Sequence, residues 1–145
     1  HVDNFINLDH TKPNSTSRLF YKGILADRSR AVFGGTVYVR DGAIKTDSLQ
    51  SDKNLLLSPD AEIDSKPALF IWADDVKCGH GATAGNIERD TLFYMRSRGI
   101  ELEEASRLLI YGFAAEIVET VKLKSLSDHL ERIFLDSLPR YSFEF

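Results

Sequence analysis

The stretch AVFGGTVYVRDGAIKTDSLQSDKNLLLSPDAEIDSKPALFIWADDVKCGHGATAG, residues 31–85, decides the architecture. Its apolar residues come in short runs, AVFGGTVYV (31–39), NLLLS (54–58) and ALFIWA (68–73), separated by Asp41-Gly42 and Ser58-Pro59-Asp60. Runs of this length between turn formers read as strands. Two segments, DGAIKTD (41–47) and DAEIDSK (60–66), align at an offset of 19, matching Asp41 with Asp60, Ile44 with Ile63 and Thr46 with Ser65. Strands too short to bury a face alone, in a chain with an internal repeat, suit a stacked solenoid in which each rung covers the next; an ordinary sandwich accounts for the pattern nearly as well.

Beyond Gly85 the period changes. Ile87, Leu92, Phe93 and Met95 fall on helical spacing, and Gly99 stands where a helix of roughly residues 88–98 would need positive φ. Leu102, Ala105, Leu109, Phe113, Ile117 and Val121 then recur at three or four, with Glu101, Glu103 and Glu104 at the start and Lys122 and Lys124 at the end, as the helix dipole favours. Ser125 with Asp128 predicts a capping box for a third helix, closing before Pro139, with Leu130, Ile133, Phe134 and Leu138 as its apolar side. The chain thus divides into a β portion, residues 1–85, and a helical portion, residues 86–145. The tail RYSFEF has no assignment.

Composition bounds the function classes. The chain has 145 residues, ordinary apolar and charged fractions and a formal net charge of −4, which argues against a nucleic-acid-binding face. No apolar run is long enough to span a membrane, and HVDNFINLDH lacks the order of a signal peptide. These features predict a cytoplasmic protein. Charge is uneven: residues 1–40 carry six Lys/Arg against three Asp/Glu, and residues 101–145 five against nine. The single cysteine excludes an internal disulfide and suits a reducing compartment.

That cysteine, Cys78, lies two residues before His80. On an extended strand both point to one face, roughly 7 Å apart. Thiolate and imidazole together suit zinc, copper or iron–sulfur species, but a closed zinc site needs four ligands, and His1, His10 and His129 lack ligand spacing. Either the pair is inert or a second subunit completes the site. A thiol nucleophile with a histidine base is the enzymatic alternative, weakened because residues i and i+2 on a strand seldom meet. GHGATAG has neither spacing that wraps amides around phosphate, so nucleotide binding by this chain is not expected. Asp74-Asp75 reads as a solvated turn.

The run NLLLSPDAEIDSKPALFIWADDVKCGHGATAGNIERDTLFYMRSRGIELEEASRLLIYGFAAEIVETV, residues 54–121, resembles the C-terminal part of the SufD family of iron–sulfur cluster assembly proteins, relatives of SufB. LFYKGILADRSRAVFGGTVYVRDGAIKTDSLQSDKN, residues 19–54, fits the same family. ADDVKCGHGAT, FYMRSRGI and GFAAEI carry the resemblance most specifically. It implies a right-handed parallel β-helix, here its last rungs, followed by a small C-terminal helical domain. It also implies a non-enzymatic scaffold that pairs with a SufB-type subunit through the β-helix and holds a SufC-type ABC ATPase through its helices. A nascent iron–sulfur cluster would form at the subunit interface, with His80 as the shared metal ligand and Cys78 beside it. The compartment would be the cytoplasm, or the plastid stroma in a plant. A homodimer is a further possible assembly, and a SufB-like identity, a stand-alone thiol enzyme and a purely architectural subunit are the competing readings.

Overall fold

The computed structural model describes residues 1–138 and contains six strands followed by three helices: β1 (Val2–His10), β2 (Thr16–Leu25), β3 (Arg30–Val39), β4 (Asp47–Leu56), β5 (Glu62–Ile71), β6 (Lys77–Asn86), α1 (Arg89–Ser97), α2 (Leu102–Val118) and α3 (Lys124–Ser137). The closing RYSFEF and Pro139 lie outside the described residues. Two compact units emerge, residues 1–85 and 86–145.

The strands form two three-stranded sheets, β1-β3-β5 and β2-β4-β6. The β1–β3, β2–β4 and β3–β5 pairings are parallel, and consecutive strands alternate between the sheets. Val2 pairs with Ala31, Thr16 with Asp47 and Arg30 with Glu62, separations of 29, 31 and 32 residues. One full turn of the chain therefore takes about 31 residues. The corners repeat with the same period: Asn14, Lys45 and Asp75 have positive φ of 58°, 59° and 51°. These corners also stack, since the Asn14 amide donates to the Ile44 carbonyl and the Lys45 amide to the Asp75 carbonyl. The offset of 19 in the sequence is not this period. It matches two corner-then-strand units belonging to different sheets, one opening β4 and the other β5. The run ALFIWA reaches two residues past β5, which ends at Ile71, and the Asp75 corner then turns the chain into β6.

Core packing follows from alternation. Phe33, Val37 and Val39 on β3 are fully buried, and Val37 and Val39 cluster with Ala43 and Ala73 against Leu8, Leu69, Val76 and Cys78. Leu25, Ala31 and Ala61 form a second cluster with Leu56 and Ile63. On the outer face of β1-β3-β5, the Tyr38, Phe70 and Trp72 rings stack, and Arg40 lies over Tyr38 and Trp72 while donating two hydrogen bonds to Asp9.

β4 inverts the usual pattern. Its buried positions are Ser48, Gln50, Asp52 and Asn54, whereas Leu49 is exposed. Most of these polar groups bond one another or the facing sheet. Asn54 Nδ2 donates to Asp52 Oδ1 at 2.8 Å, Ser65 donates to Asp52 Oδ2, and Gln50 Nε2 crosses to the Gly35 carbonyl of the other sheet at 3.2 Å. At one end the buried His10 bonds through Nδ1 to Ser15 Oγ and through Nε2 to Ser17 Oγ, and Ser17 bonds to Ser48.

In the second unit Gly99 has φ +87°, and its amide closes α1 onto the Arg96 carbonyl, as expected of a helix terminator. Leu92, Ala105, Ser106 and Ile110 are buried. Three expectations differ. α2 stops at Val118, so Lys122 and Lys124 lie beyond its last turn. Ser125 does not cap α3: the helix begins at Lys124 with Leu123 at the N-cap position, and Asp128 pairs with Lys124 at 3.0 Å instead. The expected apolar side of α3 is split: Leu130 and Ile133 are exposed, Phe134 is half-buried, and Leu138, just past the helix, is buried. Among the described residues no helix is long and apolar enough to cross a membrane.

Candidate functional site

Cys78 and His80 lie on β6, which ends the order β2-β4-β6 and so has a neighbour on one side only. The composition of this strand, KCGHGATAGN, is bare of bulky side chains, and from His80 to Asn86 every residue is exposed. Lys77 guards only its first position; beyond it, an edge of unpaired backbone groups without charged or bulky guards is a template for pairing with another strand.

The register of β6 against β4 follows from one bond. Asp47 pairs with Thr16 while its amide donates to the Ser15 carbonyl; the Lys77 amide donates to the Thr46 carbonyl at 2.8 Å in the same manner. Lys77 therefore sits beside Asp47, Cys78 beside Ser48 and His80 beside Gln50. Two further contacts agree, Gly79 lying against Leu49 and Asn54 Nδ2 donating to the Thr83 carbonyl at 3.5 Å.

The two candidate residues have different environments. Cys78 is partly buried against the Val37, Val39, Ala43 and Ala73 cluster. Burial pushes its thiol pKa up, the Asp47 carboxylate adds to this, and the Ser48 backbone opposes it. This is the reverse of an activated nucleophile, whose pKa is lowered by positive surroundings. His80, two residues on, is exposed, and no hydrogen bond joins it to Cys78 among the described residues. The thiol-enzyme reading therefore lacks both its activated thiolate and its base contact.

Nor do the other histidines gather here. His1 pairs with Asp3 at 2.6 Å, His10 is held in the buried serine network, and His129 contacts Arg132 Nη2 at 3.1 Å. Among the described residues no group of three or more His, Cys, Asp or Glu side chains could hold a metal ion. The donor chemistry is thus one accessible imidazole and one half-covered thiol on an open strand. It can supply part of a soft-metal site and cannot close one.

Sequence reading missed the polar row behind this strand. Ser48, Gln50, Asp52 and Asn54 occupy alternate positions in SLQSDKN, a period of two that was visible, but in polar residues rather than apolar ones.

Comparison with known proteins bears on this arrangement. Residues 1–113 match the family described as "SUF system FeS cluster assembly, SufBD core domain". The iron–sulfur cluster assembly protein SufD of Escherichia coli is 46% identical over 123 residues, 85% of this chain and 29% of that protein. Protein ABCI7, chloroplastic, of Arabidopsis thaliana is 45% identical over 124 residues, 85% of this chain and 26% of that protein. SufD of Bacillus subtilis is 36% identical over 121 residues, 83% of this chain and 28% of that protein. The chain thus spans less than a third of the length of these relatives. The match runs through all six strands and into the second helix, and on that extent the chain belongs to the SufBD core family of the SUF iron–sulfur cluster assembly system.

Proposed function

We propose that this chain is part of a SufD-type scaffold subunit that holds a nascent iron–sulfur cluster at an interface with a SufB-type partner, His80 supplying a ligand from this side. The observation that carries the reading is His80 itself: an exposed imidazole on an open edge strand, beside a partly buried thiol, in a chain without further ligands nearby among the described residues. A cluster held there takes its remaining ligands from another subunit. The names of the relatives, which speak of cluster assembly, support the cargo. Cys78 serves as a neighbouring sulfur ligand of second rank, its raised pKa requiring displacement of the thiol proton by the metal.

In this reading the alternating parallel sheets are the last rungs of a right-handed parallel β-helix, and residues 1–85 and 86–145 are separate domains. The repeat of about 31 residues and the stacked corners support it. The SufB-type subunit pairs through the β-helix, and a SufC-type ABC ATPase docks on the helices, where Phe93 is 75% exposed between Arg89 and Arg96. ATP hydrolysis belongs to that partner, in the cytoplasm or plastid stroma.

The test is anaerobic co-expression of the full-length subunit with SufB-type and SufC-type partners. His80→Ala should leave the complex intact and strip it of iron and acid-labile sulfide; undiminished loading would reduce the chain to an architectural part. In the same system Arg89→Glu with Arg96→Glu should abolish co-purification of the ATPase, and retained binding would move the docking site elsewhere.

A further inference from the structure

We infer that Gln50 is the positioning residue for His80, its side-chain carbonyl accepting the imidazole Nδ1–H in the assembled complex and so leaving Nε2 bare for iron. This deepens the proposal of His80 as a cluster ligand and rests on it.

Four observations carry the inference. Gln50 is 1% exposed, and its Oε1 is one of two buried side-chain oxygens or nitrogens without a hydrogen-bond partner among the described residues. Its orientation is fixed, because the Nε2 end must face the Gly35 carbonyl at 3.2 Å; exchanging the two ends of the amide would set oxygen against oxygen. The fold makes room for this pose: a Cβ on Gly35 would stand 2.1 Å from Gln50 Nε2, so only glycine at that position admits the side chain. Finally, the register places His80 beside Gln50 on the neighbouring strand and the same face, where the imidazole has no recorded hydrogen bond.

An acceptor without a donor thus adjoins a donor without a fixed acceptor. While β6 is exposed, water serves His80. Once a partner strand covers the edge, water leaves and a buried N–H must find a protein acceptor. Gln50 Oε1 is the neighbouring one that is unused, whereas Ser48 is already engaged with Ser17. Metal-bound histidines ordinarily donate their second N–H to a carbonyl or carboxylate, which fixes the tautomer and raises the basicity of the ligating nitrogen. Asn54 Oδ1, the other unpartnered oxygen, lies four residues along β4 and faces Gly23 instead.

The experiment uses the full-length subunit in its iron-free complex, labelled with ¹⁵N-histidine, the His80 signals being assigned by their loss in His80→Gln. The expected wild-type spectrum has a protonated Nδ1 and an unprotonated Nε2. Gln50→Met keeps the shape, removes the acceptor, and should return His80 to the tautomer mixture of a solvated imidazole. Iron affinity of the Met variant should fall by about 10–100-fold. A wild-type His80 protonated mainly on Nε2, or a tautomer unchanged in Gln50→Met, overturns the inference, and the wild-type spectrum decides even if the variant fails to fold. Loading retained in His80→Ala sinks the ligand role separately, without touching the tautomer result.

Discussion

Replacing Gly35 by alanine tests whether the polar interior is built as described. In an ordinary strand the change stabilises by about 0.5–1 kcal/mol, because glycine loses more backbone freedom on folding. Here the new Cβ would meet Gln50 Nε2 at 2.1 Å and Cδ at 2.8 Å, far inside contact distance. Gln50 must move, and it has little room, being almost fully buried. Overpacking costs about 1–3 kcal/mol. Displacing Nε2 from the Gly35 carbonyl leaves a buried amide unpaired at about 1–3 kcal/mol more. Net destabilisation is about 1–5 kcal/mol after subtracting the stabilising backbone contribution. With a urea slope of about 2 kcal/mol/M, the midpoint moves down by roughly 0.5–2.5 M. The single tryptophan, Trp72, stands in the β unit and reports its unfolding. Gly81→Ala is the control, since nothing lies within 4 Å of its Cβ position. In a Gln50→Ala background the penalty should shrink by at least about 1 kcal/mol, a coupling typical of residues in contact. A neutral or stabilising Gly35→Ala, or a cost unchanged by Gln50→Ala, would refute the crossing of Gln50 between the sheets.

Two further outcomes follow from other parts of the interior. His10→Phe removes two hydrogen bonds from a buried network and should lower stability by about 1–3 kcal/mol in urea unfolding, and an unchanged midpoint would show Ser15 and Ser17 to be self-sufficient. Iodoacetamide should alkylate Cys78 with an inflection above the free-cysteine range of about 8.5, because burial favours the thiol; a plateau below that value would contradict the described surroundings. The same raised pKa means that the thiol's contribution to stability is complete below the unfolded-state pKa and declines as pH rises from there through the folded-state pKa.

How legible the chain was depended on whether the buried residues were apolar. The first two helices were readable, because Leu92, Ala105 and the residues around them bury an apolar stripe. β3 was readable from AVFGGTVYV for the same reason. α3 was misread in its cap and in part of its face. Ser125 offered a hydroxyl, but the helix started at Lys124, and Leu130 and Ile133 face outward in the described chain. A sequence shows that a helix has an apolar side without showing whether that side meets this chain or another.

β4 presents the opposite case, and it bears directly on the site. Its alternation is as regular as that of any strand here, yet the inward set is Ser48, Gln50, Asp52 and Asn54. A hydropathy reading therefore picked out only its apolar end, NLLLS, and left residues 47–53 without an assignment. The repeat of about 31 residues was hidden for a related reason: the corners match in geometry, through positive φ at Asn14, Lys45 and Asp75, and while Asn and Asp suit that conformation, Lys45 breaks the pattern. Burying four polar residues in a row is tolerable only where they bond one another or a neighbour, and two oxygens are left over, one of them on Gln50, the residue in register with His80. The bare strand and the polar strand behind it thus form one feature. Gly79, Gly81, Ala82 and Ala84 leave the β6 edge without bulky cover, and β4 sets buried polar side chains beside it where an apolar core would be expected.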